Sequence, residues 1–264
     1  EEMMLKRDRS FTVVTDALDE NETKGVLGSA TMLARQIREV VIPGRTTDTV
    51  RFSPFIYGTN ANKWEPGAKN PPLYKVMLFT RRDGAYREYM PLKIGFGKTE
   101  LVDGRLTRFD KELKLVKAGY NAAADRKTTL AELKALKAKG NNTICPDYPQ
   151  PGWFYDLCDE LGLYVIDCAN INAPEKRDDR KVGGTPSNDP SLADEYLERV
   201  KAMYYRSRNH SCVIAFALGG ESGNGYNMYK AYEWLKSVEK SRPVICADAD
   251  GEWNSDCLLY TSDA

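Results

Sequence analysis

The amino-acid sequence predicts a multi-domain β plus α/β chain, in which a β-sandwich is followed by a parallel sheet built from βα units. Two observations predict it. Up to about residue 98, apolar and polar residues alternate with the period of two that is typical of half-buried strands. From residue 99 to 256, short apolar runs alternate with amphipathic helical segments, and repeated βα units require a parallel sheet. That sheet is either a closed barrel or a doubly wound layer.

The first part, residues 1–98, is assigned strand by strand. Strands are predicted at residues 11–15, 40–42, 49–52, 73–79 and 86–96. Arg82-Asp83-Gly84-Ala85 carries the turn signal of a hairpin between the last two. Residues 32–39 also fit a helix. The whole pattern favours a sandwich of roughly 100 residues.

The second part, residues 99–256, supplies about five βα units. Strands are predicted at residues 113–118, 143–145, 163–166, 213–218 and 243–246, and helices at residues 128–136, 153–161, 192–208 and 226–238. Thr128 precedes leucines spaced three apart and is the expected N-cap of the first helix. Gly140 and Gly162 are the expected helix ends.

Composition limits the partners and cofactors. The 264 residues include 38 lysines and arginines and 38 aspartates and glutamates, so no net charge attracts nucleic acid or an anionic membrane. No apolar run reaches about 18 residues, the length of a membrane-spanning helix. The six cysteines lack CxxC or Cys/His ligand spacing, which predicts buried free thiols and neither a metal nor a cofactor. The cellular compartment stays open.

Acidic residues follow four of the predicted parallel strands: Asp147, Asp167, Glu221 and Asp248. The carboxyl ends of such strands meet at one face in a closed barrel. Facing carboxylates perform glycoside hydrolysis, although acids at strand ends also cap helices. A functional role is favoured for Glu221, which lies between glycines that allow a ligand to approach closely. A structural role is favoured for Asp167. The two interpretations are balanced for Asp147 and Asp248.

Three other features of the sequence allow both a functional and a structural interpretation. The segment 219–225 resembles a phosphate-binding loop, but its glycine spacing differs from the known motifs and its acid would repel phosphate. His210, the only histidine, precedes the strand at 213–218 and is expected at the opposite end from the acids, which favours a structural role. Trp64, Trp153 and Trp253 suit either stacking on sugars or the core.

Several segments together resemble glycoside hydrolase family 2, the β-galactosidase and β-glucuronidase family. They are residues 153–167, residues 206–210 with the Gly219-Gly220-Glu221-Ser222-Gly223 run, the junction at residues 94–98, and Trp64-Glu65-Pro66 with Pro72-Leu73-Tyr74. The resemblance implies an immunoglobulin-like β-sandwich at residues 1–98 and the first part of a TIM (β/α)8 barrel at residues 99–256. It also implies retaining hydrolysis of β-linked glycosides with Glu221 as the acid/base.

The sequence departs from the family pattern at polar positions of the site. Gly220 stands where the family has Asn, and Cys168 where it has Glu. Ala122-Ala123 and Pro146-Asp147 replace an Arg-His pair and a Ser-His pair. The residues expected to line the substrate-binding site are Asp147, Gly220, Asp248 and Trp253. The alternative is a catalytically degenerate relative that binds carbohydrate or scaffolds other domains.

The last expectation concerns whether the sequence contains the whole catalytic apparatus. The family's nucleophile follows a later barrel strand, so we expect this chain to be an inactive fragment of a longer parent, which could form a homo-oligomer. Residues 257–264, Cys-Leu-Leu-Tyr-Thr-Ser-Asp-Ala, are expected to be an artificial tail.

Overall fold

The computed structural model describes residues 9–17, 31–52, 63–66, 71–82 and 85–256. The chain forms two compact units. The first comprises the described residues of Glu1–Lys63 and Pro72–Phe96, and the second those of Trp64–Pro71 and Gly97–Ala264. The tail predicted at residues 257–264 lies outside the described residues.

The first unit contains a four-stranded antiparallel sheet. Its strands are β1 (Arg9–Ala17), β2 (Thr31–Val40), β3 (Tyr74–Arg82) and β4 (Ala85–Ile94), in the order β2-β1-β3-β4. The hairpin predicted between the last two is confirmed, since Arg82 pairs with Ala85. Its central residues, Asp83 and Gly84, lie outside the described residues.

Two expectations for this unit are wrong. Residues 32–39 form strand β2 and no helix, because their alternation lets them pair along the length of β1. Residues 41–42 and 49–52 lie outside strands, since a turn at Pro43 intervenes, in which the Thr46 N–H donates to the Pro43 carbonyl over 3.3 Å. Val50 and Phe52 instead pack on the buried Ile42. This unit has one sheet within the described residues, and the immunoglobulin-like sandwich remains a prediction.

The second unit begins with a small meander that the sequence analysis missed. Its strands are β5 (Thr99–Val102), β6 (Arg105–Arg108) and β7 (Lys111–Glu112). Asp103 and Gly104 join the first two, both with positive φ (49° and 74°), as a two-residue hairpin turn requires.

A five-stranded parallel sheet forms the body of the second unit. Its strands are β8 (Lys117–Gly119), β9 (Thr143–Cys145), β10 (Tyr164–Cys168), β11 (Val213–Ala217) and β12 (Val244–Ile245), and its helices are α1 (Arg126–Ala138), α2 (Gly152–Leu161), α3 (Ala193–Ser207) and α4 (Tyr226–Val238). The sheet order is β12-β11-β10-β9-β8. Each strand thus lies beside its neighbour in the chain, without the reversal of a doubly wound layer. The architecture is that of a partial TIM barrel.

Local signals explain most of these elements, with three corrections. The N-cap of α1 is Asp125, whose carboxylate accepts from the Thr128 N–H over 2.9 Å, and the predicted cap Thr128 lies inside the helix. The C-cap is Lys139, one residue before the predicted Gly140. Gly162 ends α2 in the left-handed conformation, as expected (φ 66°). The first parallel strand is shorter than predicted and starts later, at Lys117.

The core of this unit lies on both faces of the central strands. Every residue of β10 and β11 is buried, which explains the unbroken apolar run of β11. Trp64 is fully buried here, and its indole N–H donates to the Asp159 carbonyl over 2.9 Å. Among the described residues, no helix is both long and apolar enough to cross a bilayer.

Candidate active site

Glu221 leaves the carboxyl end of β11 on a backbone that the neighbouring loop holds. The Gly220 N–H donates to the Ile171 carbonyl over 2.9 Å, and the Glu221 carbonyl accepts from the Ala173 N–H over 3.0 Å. Gly219 is required for this approach, since a Cβ there would lie 2.8 Å from the Ile171 oxygen. The two loops therefore continue the pairing of β10 with β11 beyond the strands.

Asp248 secures the other side of the same loop. Its Oδ2 accepts from the backbone N–H groups of Ser222 (2.8 Å) and Gly223 (2.7 Å). The Ser222 carbonyl in turn accepts from the hydroxyls of Thr185 (2.9 Å) and Ser187 (2.6 Å). Because both backbone polar groups of Ser222 are satisfied, the residue after Glu221 has a fixed position. In this structure Asp248 acts on the loop that carries Glu221.

The Glu221 side chain is largely open to solvent. Its carboxylate is 69% exposed, and Oε1 lies 3.3 Å from Nη1 of Arg177. An open cavity of about 610 Å³ lies beside it, lined also by the loop after β10, including Pro174, Lys176 and Lys181. A carboxylate fixed by its backbone and accessible at a cavity of this size can transfer a proton to a bound ligand.

Gly220 leaves usable space beside Glu221. A Cβ built at this position meets the Asn172 Oδ1 at 3.7 Å, which is an ordinary van der Waals contact. Its φ also lies outside the left-handed region. The absence of a side chain here is therefore not a requirement of packing or of backbone strain.

Asp147 joins the carboxyl ends of β8 and β9. Its Oδ2 accepts from the Asn121 amide over 2.8 Å, while its own N–H donates to the Asn121 Oδ1 over 3.0 Å. Gln150 also donates to that Oδ1, over 3.2 Å. Asp147 is exposed, so its carboxylate also faces solvent at this edge.

Trp253 lies after β12 and is 55% exposed. Its indole stacks on Tyr229 with ring centroids 5.2 Å apart and meets Tyr232 edge to face at 5.6 Å. The hydroxyl of Tyr229 donates to Glu252 over 2.6 Å, and this bond, followed by the one from Arg180, lowers the pKa of the Glu252 carboxyl. Trp253 thus presents a supported aromatic surface to solvent.

Asp167 points away from this edge of the sheet into the layer between sheet and helices. Its carboxylate is fully buried and accepts from the hydroxyls of Tyr155 (2.7 Å) and Ser207 (2.6 Å). Burial raises the pKa of this carboxyl despite those bonds and the nearby Arg206 guanidinium. These contacts fit the structural role that the sequence favoured.

Four cysteines in and around the sheet are protonated at neutral pH. Burial raises the pKa of Cys168 to about 12 and that of Cys145 to about 11. The thiols of Cys158 and Cys212 have pKa values well above the ordinary range for the same reason. Cys168 therefore cannot supply the negative charge of the glutamate that the family pattern has there.

A second polar cluster lies at the amino-terminal edge of the sheet, formed by Asp159, His210 and Cys212. Ligand-type atoms of the three residues lie within 4.8 Å of one another, a proximity that their sequence spacing did not reveal. Asp159 accepts from the Cys212 N–H over 2.7 Å and contacts the His210 Nδ1 at 2.7 Å. Both carboxylate oxygens are thus engaged within the protein, and the neighbouring thiol is protonated.

Sequence reasoning missed Arg177, which pairs with the Glu221 carboxylate, and Asn172, which borders Gly220. Both belong to the long segment between β10 and α3, where no periodicity or motif distinguishes one polar residue from another. The position of Asn172 beside Gly220 arises from the pairing of the Ile171 and Gly220 backbones. No local pattern encodes that pairing.

Parallel strands in barrel order, with an acid at their carboxyl edge, define the class of (β/α)-barrel proteins. Residues 120–262 match the family profile described as "Glycosyl hydrolases family 2, TIM barrel domain". The chain belongs to glycosyl hydrolase family 2.

Relatives agree with this assignment. The chain is 34% identical to a β-galactosidase from Vibrio cholerae over 185 residues, which cover 66% of this chain and 18% of that protein. A Lactococcus lactis β-galactosidase is 36% identical over 190 residues, with the same coverage. A solved family 2 structure from Bacteroides cellulosilyticus shares the fold, with a TM-score of 0.67 at 18% identity, over 92% of this chain and 32% of that one. The chain spans less than a fifth of the length of the two β-galactosidases.

Proposed function

We propose that this chain contributes the acid/base carboxylate, Glu221, to a glycosidase that cleaves β-linked glycosides by a retaining mechanism. The observation that carries the proposal is the geometry at Glu221. Its backbone is bonded on both sides, while its carboxylate is open at a cavity on the carboxyl edge of the sheet. β-Galactosides are the first substrates to test, because the relatives described above are β-galactosidases.

In such a mechanism Glu221 protonates the leaving oxygen while a second carboxylate attacks the sugar. Glu221 then removes a proton from the water that releases the sugar. By the family resemblance the nucleophile belongs to a later strand. Asp147, Gly220, Asp248 and Trp253 remain proposed as binding-site residues. Trp253 would contact a sugar face, and Asp248 would act by holding the Glu221 loop.

The test compares Glu221→Ala with Glu175→Ala in the longest natural protein that carries these residues. Glu175 is an exposed glutamate of the neighbouring loop. Glu221→Ala should lower kcat on alkyl β-galactosides by about 10² to 10⁴, the usual contribution of a general acid. The leaving group of a dinitrophenyl β-galactoside needs no proton. The same variant should therefore lower the rate of the glycosylation step far less for this substrate. Azide should restore turnover and give a β-glycosyl azide.

Equal activity of the two variants would refute the role of Glu221. The control, Glu175→Ala, should retain the wild-type rate on both substrates. Glu221→Gln tests the same point with a nearly isosteric side chain.

A second candidate is a catalytically degenerate carbohydrate binder. Gly220 and the protonated Cys168 favour it, because both replace polar groups of the family pattern. A parent protein that binds galactosides without turning them over would support this candidate. Turnover that depends on Glu221 would exclude it.

A further inference from the structure

Asn172 presents its side-chain amide at the carboxyl edge of the sheet, directly beside the Glu221 loop. It lies between Ile171 and Ala173, the two residues whose backbones bond to Gly220 and Glu221. Residues paired across neighbouring parallel strands place their side chains on the same face. The Asn172 side chain therefore emerges beside Gly220, the residue that precedes Glu221.

The distance between the two positions is short. A Cβ built on Gly220 would lie 3.7 Å from the Asn172 Oδ1 and 3.9 Å from its Cγ. The amide thus borders the space that the missing side chain leaves. Any side chain at position 220 would share this space with Asn172.

Asn172 is exposed, and within the described part of the chain its side chain has no hydrogen-bond partner. This differs from three polar side chains that surround the Glu221 loop. Thr185, Ser187 and Asp248 are all engaged with the backbone around Ser222. The amide carries two donors and one acceptor, which matches the capacity of a sugar hydroxyl to give and accept hydrogen bonds.

We propose that Asn172 is a substrate-binding residue, whose amide bonds the sugar hydroxyl on the carbon next to the reacting one. It thereby supplies from the β10 loop the amide that Gly220 does not carry. Glu221 must reach the oxygen on the reacting carbon, so an amide adjacent to its loop faces the neighbouring hydroxyl. Hydrogen bonds to that hydroxyl strengthen in the transition state of glycoside hydrolysis. The inference rests on the proposed function of Glu221.

The test compares the affinities of wild type and variant for two ligands that differ in one hydroxyl. The affinities are measured by calorimetry on the longest natural protein that carries this chain. The probes are methyl β-D-galactopyranoside and its 2-deoxy analogue. Asn172→Ala should weaken binding of the galactoside about five- to tenfold, the range of one net hydrogen bond. It should leave binding of the 2-deoxy probe unchanged, because that probe lacks the bonded hydroxyl. A purely structural residue would affect both probes alike.

Two further variants complete the design. Asn209→Ala is the matched control, since Asn209 is an exposed asparagine near the opposite end of β11 and should bind both probes as the wild type does. Gly220→Asn in the Asn172→Ala background should restore galactoside binding, because its Cβ fits and its amide enters the same space.

The outcomes separate the two proposals. Galactoside binding by Asn172→Ala within twofold of the wild type, in a protein whose turnover depends on Glu221, overturns the assignment of Asn172 alone. Equal loss for both probes also overturns it. A wild-type protein that binds neither probe overturns this assignment together with the proposed galactoside-cleaving function.

Discussion

The two edges of the parallel sheet use carboxylates in opposite ways. At the amino-terminal edge the Asp159 side chain is 3% exposed and both its oxygens contact donors within 2.7 Å. At the carboxyl edge the Glu221 side chain is 69% exposed, with one ion pair at 3.3 Å. A buried carboxylate with satisfied oxygens stabilises the fold, whereas an exposed one on a fixed backbone remains available to a ligand. Exposure and hydrogen bonding thus distinguish Asp159, which is engaged within the protein, from Glu221, for which we propose a function.

The largest effect that tests this comparison is expected from Asp159→Ala. This substitution leaves the Cys212 N–H and the His210 ring without their acceptor in a buried position. We expect a loss of about 3 kcal/mol in the free energy of unfolding, measured by urea denaturation. Glu221→Ala should change it by no more than about 0.5 kcal/mol. Similar losses for both variants would remove the distinction between the edges.

An intermediate effect is expected from the titration of Asp167. Burial raises its folded-state pKa above the ordinary 3.8, so between these two values the folded protein binds the proton that the unfolded chain has released. The stability from this group is fully present below about 3.8 and is lost as pH rises through the folded pKa. The slope of this contribution is at most about 1.4 kcal/mol per pH unit.

Asp167→Asn removes this titration. As pH rises from 3.8, the free energy of unfolding of the wild type should therefore decrease relative to that of the variant. Thermal or urea unfolding over a pH series measures it. A difference that shifts the other way would show that the Tyr155 and Ser207 hydroxyls outweigh burial.

The smallest effect is expected from Asp248→Ala, which acts within the carboxyl edge. The variant frees the N–H groups of Ser222 and Gly223, at a cost of about 1 to 2 kcal/mol. Amide hydrogen exchange at these two residues should accelerate, because their acceptor is gone. Asp248→Asn keeps one carbonyl oxygen that can accept from both N–H groups, so it should show a smaller effect than Asp248→Ala. Unchanged exchange at both residues would show that Asp248 does not hold the Glu221 loop.

Much of the parallel-sheet unit was predictable because its signals are local. The unbroken apolar run of β11 predicted a strand buried on both faces, and Gly162 predicted the end of α2. The meander from Thr99 to Glu112 was missed although Asp103-Gly104 carries a strong hairpin signal. Here the longer βα alternation obscured a short strand pattern.

The neighbours of Glu221 were not predictable in the same way. Asn172 and Glu221 lie 49 positions apart in the chain, and their proximity depends on the register of two loops beyond the ends of β10 and β11. The register follows from tertiary packing, such as the approach of Gly219 to the Ile171 carbonyl. Strand-end position alone identified Asp248, but its bonds to Ser222 and Gly223 emerged only from the structure.

The bonds from Asp248 to the Glu221 loop have a consequence for the evolution of this barrel. Glu221 follows β11 and Asp248 follows β12, so the residue proposed to transfer the proton and the residue that holds its loop are encoded in successive repeats of the chain. Recombination between homologues with a crossover inside α4 would pair a Glu221 segment from one parent with an Asp248 segment from the other. Such hybrids should tolerate exchange best when both parents keep an acid at each of these two positions.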